Sequence, residues 1–120
     1  MVTEYDFEKL RVYQESLDLA EKIYEVTSTF PVSEQFGLTS QLRRAALSIP
    51  LNIAEGKGRY HTKVFVQFLY QARGSLYEVI ALLKFGHRIK YLTKQAFEDL
   101  MHSVDQISSK LSNLIKTFKE

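Results

Sequence analysis

The chain has no cysteine, only two prolines and only five glycines in 120 residues. Without cysteine there is no disulfide framework and no cysteine-ligated zinc site. So little glycine and proline argues against long loops and against a turn-rich β fold. No apolar run approaches the roughly 20 residues of a membrane span. The opening MVTEYDFEKL is acidic and mixed, unlike a signal or transit peptide, so a cytoplasmic location is expected, with no membrane partner. The length suits one domain, large enough to bury a core without staples.

Catalytic and metal chemistry also lack their usual signatures. His61, His87 and His102 fall in different segments, with no His-x-x-x-His or Glu-x-x-His pairing of the kind that holds metals in bundles. Gly56-Lys57-Gly58 follows a helical pattern rather than a strand and lacks phosphate-loop spacing, so it reads as a helix-ending turn. No Ser, His and Asp grouping has the setting of a nucleophile elbow. A non-enzymatic protein without cofactor or metal is expected.

What is present is a segregation of charge. Residues 1–34 carry eight acids against Lys9, Arg11 and Lys22, a net of −5, whereas residues 35–95 carry ten bases against Glu55 and Glu78, a net of +8. The final segment is −1, giving +2 overall. A basic middle beside an acidic start suits either an anion-binding surface or a surface that pairs with the acidic helix of a neighbouring subunit.

Hydrophobic periodicity predicts four helices, over residues 7–27, 34–56, 62–88 and 94–118. Phe30-Pro31 ends the first, because proline drives its predecessor out of helical geometry. Ser33 and Thr93 are expected N-caps for the second and fourth. Pro50, inside the second, predicts a kink. In the fourth helix Phe97, Leu100, Val104, Ile107, Leu111, Leu114 and Phe118 follow an unbroken three-four spacing. That spacing belongs to helices crossing at shallow angles, hence an all-α, antiparallel, up-and-down four-helix bundle in a single domain.

The other helices each have two apolar stripes. In the first, Leu10, Tyr13, Leu17, Ala20 and Tyr24 are expected to face the core, leaving Val12, Leu19, Ile23 and Val26 as a second stripe. In the second helix, Leu38, Leu42, Ala45, Ala46, Ile49 and Ile53 form the core stripe, with Phe36, Leu47 and Leu51 well round from it. In the third, Phe65, Phe68, Leu69, Ala72, Leu76, Val79, Ile80 and Leu83 point inward, while Val66, Tyr70 and Tyr77 mix with Arg73 and Lys84. The second stripes either widen one core or form contacts between subunits. A homo-oligomer is expected, with Val12, Leu19, Ile23, Val26, Phe36, Leu47, Leu51, Tyr70 and Tyr77 as interface candidates.

Asn52, Glu55 and Glu78 read as structural polar residues. The first two could satisfy backbone groups freed by Pro50 or bond to the third helix, and Glu78 could pair with Arg43, Arg44 or Arg73. Arg43, Arg44, Lys57, Arg59, Lys63, Arg73 and Lys84 are nucleic-acid-binding candidates, because basic residues interleaved with tyrosines can contact phosphates and stack on bases. The same mixture is enriched in protein interfaces.

Three segments carry a resemblance: Gly37 through Arg59 (GLTSQLRRAALSIPLNIAEGKGR), Phe68 through Glu78 (FLYQARGSLYE) and Phe7 through Tyr13 (FEKLRVY). Together they closely resemble the four-helix bundle proteins encoded by intervening sequences of bacterial 23S rRNA genes. That family is similar to the accessory variability determinant proteins of diversity-generating retroelements. The resemblance implies an antiparallel bundle that assembles into a homopentamer. It also implies a basic surface for RNA or DNA and for a reverse transcriptase, with Arg43, Arg44, Arg59 and Arg73 at the matching positions. A nucleic-acid-binding oligomer is therefore the leading expectation. A protein-interaction module, for instance for a reverse transcriptase, is the alternative, its basic residues then serving subunit contacts.

Overall fold

The computed structural model describes residues 2–119. Among these there are four α-helices and no strand: α1 Arg11–Thr27, α2 Leu38–Lys57, α3 Thr62–Arg88 and α4 Lys94–Lys119. Short 3-10 segments at Asp6–Lys9 and Val32–Glu34 precede α1 and α2. α1 packs on α2 and α4, and α3 packs on the same two helices, so all four enclose one core. At 1.5 Å per residue the 27 residues of α3 span about 40 Å, which accounts for the 43 Å long dimension of the molecule.

The core is built from Leu19 and Ile23 of α1, Leu42, Ile49 and Ile53 of α2, Leu69, Leu76 and Leu83 of α3, and Val104, Ile107 and Leu111 of α4, all fully buried. Each such side chain contributes roughly 1.5–3 kcal/mol by leaving water. Two polar ties cross between α1 and α4: Lys110 lies 2.8 Å from Glu15 Oε2, and Lys22 donates to Ser103 at 3.1 Å. Two more cross between α2 and α3: Arg44 to Glu78 at 2.9 Å, and Ser48 to Ser75 at 2.8 Å.

The phase of α1 differs from the sequence expectation. Its buried face is Val12, Ser16, Leu19, Ala20, Ile23 and Thr27, whereas Leu10, Tyr13 and Leu17 are half-buried and Tyr24 is exposed. The two hydroxyls hid this face. The Ser16 hydroxyl donates to the Tyr13 carbonyl at 2.8 Å and Thr27 to the Ile23 carbonyl at 2.6 Å, so both polar groups are satisfied within their own helix and can be buried. The expected interface candidates Val12, Leu19 and Ile23 are therefore core residues with no surface for a neighbour.

Helix ends shift by a few residues. Leu10 is extended and separates Asp6–Lys9 from α1, so Phe7 stands outside the helix. α2 begins at Leu38 rather than after Ser33. Its first turn is held by Glu34, whose Oε1 accepts from the Leu38 amide at 3.1 Å, instead of by a Ser33 cap. Thr93 does cap α4, its hydroxyl accepting from the Ala96 amide at 3.1 Å. Gly56 lies within α2, which continues through Lys57. A Cβ there would collide with Phe68 Cβ, so this glycine serves the close approach of α2 to α3 rather than ending the helix. α3 ends in a Schellman turn: Tyr91 donates to the Gly86 carbonyl at 2.9 Å and Lys90 to His87 at 3.1 Å, with Lys90 left-handed at φ 69°.

Pro50 lies inside α2 with its ring buried. Asn52 donates to the Ser48 carbonyl at 2.8 Å and to its hydroxyl at 3.1 Å, and that hydroxyl meets Ser75 of α3. Asn52 thereby links the proline turn to α3 through one serine. No helix is long and apolar enough to cross a membrane among the described residues.

Candidate functional site

The seven basic candidates do not share one surface. Arg43 is an internal strut between α1 and α2: its Nε donates to Thr27 Oγ1 at 2.9 Å, its Nη2 to the Tyr24 carbonyl at 3.3 Å, and its guanidinium lies 4.5 Å from the Tyr24 ring centre. Arg44 is engaged with Glu78 and with Gln41 at 3.3 Å. Of the partners expected for Glu78, Arg44 is the one the fold brings to it. Glu55 pairs with Arg59 at 3.1 Å, one turn on in sequence, and has no tie to the proline turn or to α3. Lys84 is exposed but lies 21 residues along α3 from Lys63, about 31 Å at the helical rise.

Lys57, Arg59 and Lys63 lie around the α2–α3 loop at one end of the molecule, whereas Arg73 stands ten residues along α3 from Lys63, about 15 Å at the helical rise. Lys57 lies 5.6 Å over the Phe65 ring and Arg59 lies 5.3 Å over Phe68. Tyr60, 98% exposed, follows in the loop, and Lys63, also exposed, lies in the first turn of α3. The last turn of α4 reaches the same end, where Phe118 packs edge-on against Phe65 at 5.3 Å. Lys119 donates to the Tyr70 hydroxyl at 3.2 Å, and Arg73 lies 4.9 Å over the Tyr70 ring. Lys63, Val66, Tyr70, Phe118 and Lys119 line an open cleft of about 510 Å³. Cations held over aromatic rings and fixed at one end can meet phosphates and planar bases together.

Two groups of exposed apolar residues lie on α2 with the turn before it and on α3. Phe36, 90% exposed, and the half-buried Leu47 border a shallow groove of about 390 Å³ along α2, with Tyr24, Arg43 and Arg44. Leu51, one turn beyond Leu47, is 64% exposed. On α3, Tyr77 lies two turns along from Tyr70 on one stripe, and Phe85 is exposed two turns further. Val26 is half-buried against the core and borders a separate groove between α1 and α4. The histidines are dispersed: His61 meets Tyr60, His87 stacks on Phe97 at 4.3 Å, and His102 pairs with Gln106.

Sequence reasoning missed Tyr60, Phe85 and Lys119. Tyr60 had a signal, being a bulky aromatic within a glycine-rich loop. Lys119 had none, since its place beside Tyr70 depends on how far α4 runs.

The profile of the 23S rRNA-intervening sequence protein family matches residues 8–113. No curated protein matches the chain by sequence. Among solved structures, it is similar to a protein of unknown function from Bacteroides thetaiotaomicron VPI-5482, described as belonging to the S23 ribosomal protein family. The two share 24% identity over 88% of this chain and 95% of the other, with a TM-score of 0.81, which fixes the likeness of fold. With nearly its whole length matched by the family profile, the chain belongs to the 23S rRNA-intervening sequence protein family.

Proposed function

We propose that this protein is a non-enzymatic, cytoplasmic, antiparallel up-and-down bundle that assembles with copies of itself and binds nucleic acid. One observation carries the binding: beside the α2–α3 loop Lys57 and Arg59 lie over Phe65 and Phe68, while Lys63 and Lys119 line one cleft with Tyr70. The antiparallel arrangement accords with ties that run in opposite directions, Glu15 to Lys110 with Lys22 to Ser103, and Arg44 to Glu78 with Ser48 to Ser75. A bend in α2 at Pro50 accords with the backbone donor that proline lacks.

Assembly draws on the two apolar groups. The groove with Phe36 and Leu47 on one copy, together with the exposed Leu51 one turn on, meets the stripe with Tyr77 and Phe85 on the next, a head-to-tail contact that closes into a ring when the rotation permits. The likeness to accessory variability determinant proteins favours five subunits. Mobility shift with RNA and with DNA over a salt series tests the binding, since counterion release weakens a phosphate-bound complex steeply as salt rises. Absence of a shift at low salt refutes it.

A second reading has its own support. Arg43, Arg44 and Arg59 are already committed to partners within the chain. If the remaining bases serve subunit or protein contacts, the bundle is an interaction module, for instance for a reverse transcriptase. Capture of that enzyme with no nucleic-acid shift distinguishes this case.

A further inference from the structure

The Tyr70 ring has Arg73 over it at 4.9 Å from the centroid and Lys119 beyond its hydroxyl edge at 5.8 Å from the centroid. Lys119 also donates to its hydroxyl oxygen at 3.2 Å. That bond uses an oxygen lone pair and leaves the phenolic hydrogen able to donate to an anion. The ring forms one wall of the cleft between the first turns of α3 and the last turn of α4. Val66 and Phe118 supply apolar surface there, Gln67 supplies an amide, and Lys63 and Lys119 supply the charge; no acid is among the described residues lining it. Its volume of about 510 Å³ falls within the roughly 300–1,000 Å³ of small-ligand pockets.

Such a cleft selects a ligand that is flat and apolar on its faces and anionic along its edge. A duplex presents only the second property, because its bases are stacked inside and its phosphates lie outside. A single strand presents both. We infer that this cleft seats one unstacked nucleotide of single-stranded nucleic acid, its base against Tyr70, Val66 and Phe118 and its flanking phosphates on Lys63 and Lys119. The inference rests on the nucleic-acid reading above and names the form of ligand. On binding, Lys119 exchanges its bond to the Tyr70 hydroxyl for a phosphate. Gln67 then meets the base edge.

Fluorescence anisotropy at low salt with a labelled oligouridylate, the matching oligothymidylate and a duplex of equal length tests this. The wild-type protein binds the single strands more tightly than the duplex. Tyr70→Ala weakens single-strand binding about tenfold, within the range of one aromatic–base stack, and leaves duplex binding and the scattering mass unchanged; Tyr70→Phe keeps the preference. A tighter complex with oligouridylate than with oligothymidylate identifies RNA as the source of the strand, and the reverse identifies DNA. Equal affinity of the wild type for single strand and duplex overturns the inference, as does a Tyr70→Ala variant that keeps its single-strand affinity. A fall in the mass of Tyr70→Ala also overturns it, by placing Tyr70 in a subunit contact. The nucleic-acid reading survives each of these three results, whereas failure to bind any probe removes both.

Discussion

The Tyr91 hydroxyl donates to Glu34 Oε2 at 3.0 Å, joining the loop before α4 to the turn before α2. The other oxygen of the same carboxylate accepts the Leu38 amide at the start of α2, so one side chain holds two loops and a helix end. Tyr91 is in turn fixed by the Schellman turn and by the Phe30 ring at 5.4 Å. Donation to Glu34, with a smaller contribution from burial and from the carboxylate charge, raises the Tyr91 pKa above its ordinary value near 10. The folded state therefore gains from this bond at and below the ordinary value and loses that gain as pH rises through the raised one. Thermal unfolding followed by circular dichroism across alkaline pH is expected to show a falling midpoint above about pH 10. Tyr91→Phe is expected to start lower and to lose less over the same interval.

Arg43 reads as a nucleic-acid residue in the sequence and as a strut in the fold. Arg43→Ala removes two charge-assisted bonds to α1 and is expected to cost about 1–3 kcal/mol of stability, measurable by urea unfolding. It is expected to leave nucleic-acid affinity within about twofold once folded protein is compared, since no phosphate contact is lost. Lys63→Ala is expected to do the reverse, with unchanged stability and weaker binding.

A Cβ at Gly56 would run into Phe65 and Phe68 of α3. Gly56→Ala is expected to destabilise by about 1–3 kcal/mol, because the added methyl forces these helices apart. Gly74, with open space where a Cβ would stand, provides the contrast. Gly74→Ala is expected to raise stability by about 0.5–1 kcal/mol through helix propensity, provided that chemical denaturation is read on the dissociated subunit.

Light scattering is expected to give several times the 13.9 kDa of one chain. Leu51→Asp and Tyr77→Asp each place a charge in the proposed subunit contact and are expected to lower that mass while helical content is kept. A wild-type protein that stays monomeric at micromolar concentration contradicts the head-to-tail assembly.

Most of the fold was legible because α2, α3 and α4 bury their apolar stripes at regular helical spacing: Leu42, Ile49 and Ile53, Leu69, Leu76 and Leu83, and Val104, Ile107 and Leu111 all lie where periodicity puts them. α1 was misphased because its buried face contains Ser16 and Thr27, whose hydroxyls are satisfied locally, while its flanks carry tyrosines whose rings look like core. The site was less legible still. A count of bases cannot separate Arg43, half-buried and bonded to α1, from the exposed Lys63. Nor does spacing along the chain reveal that Lys119 and Tyr70, 49 residues apart, meet.

The most direct test of a phosphate-binding end is the slope of log affinity against log salt for single-stranded RNA and DNA, measured for the wild type and for Lys63→Ala/Lys119→Ala. The account predicts a steep negative slope for the wild type that becomes shallower by about 1–2 in the double variant, at roughly 0.7 per phosphate contact on a single strand. A slope that the two substitutions leave unchanged, or no binding by the wild type at low salt, contradicts it.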